Sequence, residues 1–155
     1  MISILQGILD VEDVEEFLLP FRDCAVFLNA DYIADETHAE LAARKALRAW
    51  HDGRNVAKTL PVEVILYAAA TRQINRAMEL GLKTGTNRVV VVVLGDCIDK
   101  VSSVLKEENV LKMDEEKIVR LKQFFRITDE ELEVAGVEKL PLLVRERVVL
   151  FDLTK

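Results

Sequence analysis

The chain is poor in the residues that metal and redox chemistry most often require. Its 155 residues include two histidines and two cysteines. His38 and His51 are too far apart to form a local metal-ligand pair, and there is no C-x-x-C. No metal site and no cofactor is therefore expected. No apolar run approaches the ~20 residues of a membrane span, the longest being Val89 to Leu94. The N-terminus lacks a basic n-region and acids follow from Asp10, so neither a secretory signal nor a membrane partner is expected. A cytoplasmic protein with reduced, buried thiols at Cys24 and Cys97 is the reading that follows. Gly81-Leu-Lys-Thr-Gly85 lacks the order of a phosphate loop and precedes a strand, so it reads as a helix cap and polar turn. Asp96-Cys97 follows a strand end, where nucleophiles can sit, but no base accompanies it. Repeats, low-complexity tracts and linkers are absent as well.

What is present is a globular balance: 50% hydrophobic and 31% charged residues, with a net charge of −6. A domain of this length can bury roughly 70% of the surface its unfolded chain exposes. The charge is uneven. Residues 1–43 hold ten acids against one base, whereas 44–76 hold seven bases against two acids. An acidic protein with one basic segment is a poor general binder of nucleic acid, so no DNA partner is expected, but it can present a local anion-binding face.

Helix and strand signals alternate along the chain. Ile2 to Ile8 and Cys24 to Leu28 read as strands, separated by a short acidic helix from Val11 to Leu19 that Asp10 caps and Pro20 stops. Asp35 to His51 is a helix with Ala39, Ala42, Ala43, Ala46 and Ala49 on one face, opposite Arg44, Arg48 and His51. A basic turn over 52–60 leads to Thr59 as cap and Pro61 in the first turn of the next helix, which Gly81 ends as a left-handed stop. Val89 to Val93 reads as a strand buried on both faces and central to its sheet. Helices follow over 98–107, 114–125 and 129–135, the last opening on the capping box Thr128-Asp-Glu-Glu131, and a final one starts at Pro141. The expected fold is α/β with α+β character: a single domain over 1–155, with a small central sheet of few strands and about seven helices around it.

The helix beginning at Pro61 is apolar nearly all round yet carries Arg72, Gln73, Asn75 and Arg76. On a continuous helix Gln73 falls inside the apolar stripe, so it is expected to be buried and hydrogen-bonded. Arg72 and Arg76 are an i, i+4 pair beside Ala68 and Ala69, a shelf suited to phosphate or to a base plane. Aromatics are scarce here; only Trp50 and Tyr67 lie in the basic segment. In the last helix Val144, Val148 and Phe151 form one stripe, and Leu142, Val149, Leu150 and Leu153 another. One stripe can face the core and the other a neighbour, and sequence does not say which.

Several segments together resemble one family. They are Asn29-Ala-Asp-Tyr-Ile33, His38 opening the Ala-rich helix to Trp50, Asn55-Val-Ala-Lys58, and Glu63-Val-Ile-Leu-Tyr-Ala-Ala-Ala-Thr-Arg-Gln-Ile74. Phe125-Arg-Ile-Thr-Asp-Glu-Glu-Leu132 and Glu146-Arg-Val-Val-Leu150 extend the likeness over nearly the whole chain. The family is the kinase-binding regulatory subunit of the KEOPS complex (TPRKB-like), in its archaeal form. Ala39 after His38, where relatives are expected to carry leucine, is a departure that touches packing. The resemblance implies a non-catalytic subunit of a complex that places threonylcarbamoyl on adenosine 37 of tRNA. It implies binding to the complex's small atypical kinase/ATPase subunit and to the single-stranded 3′ CCA end of tRNA. For RNA phosphates the candidates are Lys58, Arg72 and Arg76, with Arg54 weaker; for the protein partner they are Val144, Val148 and Phe151. The alternatives are an adaptor whose basic segment meets an acidic protein, and a small-molecule enzyme joining Asp96-Cys97 to the Arg72 shelf.

Overall fold

The computed structural model describes residues 2–155. Four strands form one antiparallel sheet in the order β2-β3-β1-β4: β1 (Ser3–Val11), β2 (Ala25–Asn29), β3 (Gly85–Val93) and β4 (Lys106–Glu107). The valine run lies in β3, between β1 and β2, and Val89 to Val92 are fully buried. Because side chains alternate across a strand, Val90 and Val92 face one layer while Val89, Val91 and Val93 face the other. The first layer is α2 (Glu36–His51) and α3 (Leu60–Ala69). Here the alanine stripe of α2 is completely buried, since methyl-sized side chains let the helix backbones approach closely. The second layer is α1 (Val14–Leu18), the 3-10 turn Leu19–Phe21 and α5 (Ile98–Val104). Phe17, Phe21 and Phe27 meet there with ring centroids 5.1 to 5.5 Å apart. A third cluster joins α6 (Glu115–Phe125), α7 (Asp129–Ala135) and α8 (Leu140–Thr154).

Among the described residues, eight α-helices and a four-stranded sheet match the α+β expectation. Thr59 and the Thr128/Glu131 box cap helices as read from sequence, and Asp35, read as the first residue of its helix, is the N-cap of α2. Several details differ. Asp13, not Asp10, caps the acidic helix, and Asp10 instead ends in β1, where it accepts from the Thr86 hydroxyl. Residues 106–107 leave the helix for the sheet edge, pairing with Ile8 and Gly7. That approach needs glycine at position 7, where a Cβ would stand 2.3 Å from the Lys106 carbonyl oxygen.

Cys24 and Cys97 are not free thiols. They form a disulfide that ties the start of β2 to the start of α5, with Cα atoms 6.2 Å apart. A separation of 73 residues hid the pairing, because sequence distance carries no information about adjacency across a sheet end. Nor does Gly81 adopt a left-handed conformation; its φ is −84°. Among the described residues the left-handed non-glycines are Ala70 and Arg126, at the ends of α3 and α6.

Candidate functional site

The long helix expected from Pro61 is broken. Ala70 turns left-handed at φ 53°, and the Thr71 and Ala70 N–H groups close the end of α3 on the Leu66 and Tyr67 carbonyls. The chain resumes as α4 (Ile74–Ala77) after an extended step. Arg72 and Arg76 therefore do not share a helix face. Arg72 lies exposed in the connection, and Gln73 is exposed at the start of α4, not buried in an apolar stripe. Ile74 and Met78, one turn apart beside Arg72, are exposed apolar side chains.

Arg76 turns the other way. It is half-buried, its guanidinium donates to the Phe124 carbonyl, and its Cζ stands 4.5 Å from the Phe124 ring centroid. This makes it a wall of a cleft of about 330 Å³ between the end of α3, the end of α6 and α8. Sequence reasoning missed the two other guanidinium groups of this cleft, Arg126 and Arg147. Arg126 carries the left-handed φ of 55° that ends α6. Arg147 donates to the Phe125 and Arg126 carbonyls at 3.2 and 3.1 Å and bidentately to Glu131 at 2.7 and 3.0 Å. Burial first, and the Arg126 charge second, pull the Arg76 guanidinium below its usual range. Glu131 answers the Arg147 charge, so Arg76 and Arg126 are the like charges that favour an anion in this partly dry cleft. Both left-handed non-glycine residues lie on its rim, where backbone strain of ~1 kcal/mol each is held by tertiary packing.

The other two RNA candidates stand elsewhere. Lys58 is exposed just before α3, whose ten residues put ~15 Å between its ends. Arg54 reaches Asp52 at 3.7 Å and Asp152 at 3.9 Å, so part of its charge is already answered. Asp152 also accepts from the Tyr67 hydroxyl at 2.6 Å and lies 3.5 Å from Lys45. Burial opposes its ionisation, but the Tyr67 hydrogen bond and the Lys45 and Arg54 charges outweigh that and hold it below the usual carboxylate range. The four candidates thus form two basic places, one at each end of α3. Cys97, bonded to Cys24, has no thiolate to offer as a nucleophile.

The stripe Val144, Val148 and Phe151 is turned into the core: the valines are fully buried and Phe151 is 8% exposed, with its ring 5.1 Å from that of Tyr67. Packing against α2, α3 and α6 decides this, because the three residues complete clusters those helices begin. The outward stripe is Leu142, Val149, Leu150 and Leu153, the last 76% exposed. Leu142, Val149 and Leu150 join Leu41 and Thr37 of α2 in an apolar groove of about 650 Å³. Arg145 bonds Asp35 at 2.9 Å in the same region and pins α8 to the start of α2. Leu150 borders both this groove and the guanidinium cleft.

The fold and these two surfaces define a small α+β protein whose final helix separates an apolar groove from an arginine-lined cleft. The chain belongs to the CGI-121 family of kinase binding proteins, whose family model matches residues 9–150. It is 32% identical over 100 residues to the KEOPS complex subunit Cgi121 of Pyrococcus abyssi (strain GE5 / Orsay), a match covering 59% of this chain and 58% of that one. The matched stretch is less than two thirds of the relative's length. Among the described residues no helix is long and apolar enough to cross a membrane, and no three His, Cys, Asp or Glu side chains gather as a metal site.

Proposed function

We propose that this protein is a non-catalytic KEOPS subunit in the cytoplasm that binds the complex's small kinase/ATPase subunit and the 3′ CCA end of tRNA. The observation that carries the kinase reading is the outward stripe of α8. Four large apolar side chains on one helix face, next to a groove against α2, form a contiguous patch of the kind that marks a protein interface. Membership of a kinase-binding family supplies the partner class. The stripe replaces Val144, Val148 and Phe151 as the candidate interface.

The RNA reading rests on Arg72 and the cleft around Arg76. Single strands are held by basic grooves with planar or apolar surfaces for the bases. Arg72 and Arg126 supply charge, the Arg147 charge being already answered by Glu131, and Ile74, Met78 and Phe124 supply the surfaces. Lys58 and Arg54 extend the basic surface to the other end of α3. Arg76 supports the cleft wall, so its reversal would disturb the fold; Arg72→Glu with Arg126→Glu is the cleaner test. This pair is expected to weaken tRNA binding roughly tenfold or more while kinase binding is kept. Equal binding of tRNA lacking its CCA end would remove the 3′-end assignment. The groove and the cleft share Leu150, so on this reading the kinase and RNA contacts are neighbours.

A further inference from the structure

The acidic end of the molecule meets the proposed RNA surface only at its edge, where Lys58 precedes Thr59 and Pro61 of one groove. It centres on α1 and the turn Leu19–Phe21, which project as a ridge from the second layer. A groove runs on each side of the ridge. One, of about 610 Å³, is floored by Leu18, Leu19, Phe21, Ala25 and Pro61. The other, of about 570 Å³, is floored by Phe17, Pro20, Phe21 and Val104. The grooves share Asp13, Glu16 and Phe21. Their rims carry Glu12, Asp13, Glu15 and Glu16, all exposed and none in an ion pair among the described residues. The bases lining the grooves are Arg22 and Lys100, and Lys100 donates to the Pro20 carbonyl at 3.2 Å.

We infer that this ridge is a second protein-docking surface, whose occupant is a basic amphipathic segment of a partner protein seated with apolar side chains in the grooves and lysines or arginines on the rim. Charge complementarity selects the occupant. Four unpaired carboxylates repel nucleic acid and anionic lipid, and a solvated cation has no use for an apolar floor. Leu19, 55% exposed at the crest between rim acids, is an apolar contact that a cationic helix can cover. The surface is also preformed. The Cys24–Cys97 disulfide fixes the strand leaving the ridge to α5, the helix that supplies Lys100 and Val104 to the second groove. A held surface loses less ordering entropy when it binds.

The test uses the whole protein and a defined probe, a short helical peptide of lysine and leucine with leucines at i, i+4 and i+7 spacing. Amide shifts in a two-dimensional NMR titration are expected at 12–22 and at Lys100 and Val104. Glu15→Lys with Glu16→Lys is expected to weaken binding roughly tenfold, and Leu19→Ser several-fold, with unchanged circular dichroism. All three side chains are exposed and make no hydrogen bond among the described residues. Because Glu15 and Glu16 stand in the first turn of α1, Glu15→Gln with Glu16→Gln, which adds no positive charge there, is the companion variant and is expected to weaken binding in the same direction with the fold kept. Three results would each overturn the inference: equal binding of a lysine-only peptide, shifts centred on the α8 groove, and preferential perturbation of 12–22 by RNA or anionic vesicles.

Discussion

His38 shows how one buried side chain organises the approach to the cleft. It is fully buried; its Nδ1 accepts from the Ala34 N–H at 3.0 Å, so Nε2 carries the proton and donates to the Ala68 carbonyl at 2.8 Å. The ring thereby ties the start of α2 to the last turn of α3, just before the break at Ala70. Burial pushes its pKa down to about 4 from an ordinary 6.5. The unfolded chain then binds a proton that the folded chain refuses, so this contribution is complete above about pH 6.5 and is lost as pH falls towards 4. The loss amounts to ~3 kcal/mol at the low end. His38→Gln, which keeps a donor and an acceptor but does not titrate, should be less stable at pH 7 and show a flatter decline between pH 6.5 and 4 in denaturant melts. Parallel declines in the two proteins would contradict this. Glu63 is the counterpart at the other end of α3. It is 1% exposed, accepts from the Val56 and Ala57 N–H groups at 2.9 and 2.8 Å, and pairs with Lys155 at 3.0 Å. Glu63→Ala leaves the buried Lys155 ammonium with only the Tyr67 ring 4.6 Å away and the buried Ala57 N–H without its acceptor, an expected loss of ~3 kcal/mol by urea unfolding; a loss below ~1 would refute the pairing.

At the scale of elements, most of the fold was legible and the break in α3 was not. Val89 to Val93 announced a central strand because a run of branched residues only fits where both faces are covered. The alanine stripe of α2 and the Thr128 box were equally readable, since periodicity and capping are local properties. Tyr67-Ala-Ala-Ala-Thr-Arg-Gln-Ile74 has no local stop signal. Alanine is the best helix former and a poor left-handed residue, so only tertiary packing explains the turn at Ala70. One wrong continuity put Gln73 inside and Arg72 beside Arg76. The same limit hid Arg126 and Arg147, which come to Arg76 from helices some fifty and seventy residues away in sequence. For α8, amphipathicity on two faces defined both stripes and could not rank them. The disulfide belongs to this scale too. Closing a loop across 73 residues should stabilise the fold by roughly 4 kcal/mol through the unfolded chain, so reduction is expected to lower the unfolding midpoint without abolishing the fold. An unchanged midpoint on reduction, with thiols confirmed by labelling, would show that the bond is absent in solution.

At the scale of the molecule, charge and apolar surface are sorted by region. Acids collect around α1, guanidinium groups around the cleft, and the largest outward apolar stripe lies along α8. This sorting makes the proposed ligands separable, because apart from Leu150, which borders both the groove and the cleft, each rests on different side chains and responds differently to salt. The RNA contact should weaken steeply with ionic strength and the α8 contact only slightly. The most direct measurement is calorimetric titration of the small KEOPS kinase/ATPase subunit into this protein and into its Val149→Asp, Leu150→Asp variant, with Val134→Asp on exposed α7 as control. The account predicts tight binding by the parent and the control, and a loss of roughly a hundredfold or more in the double variant with its fold intact. Equal affinity across all three proteins would contradict it.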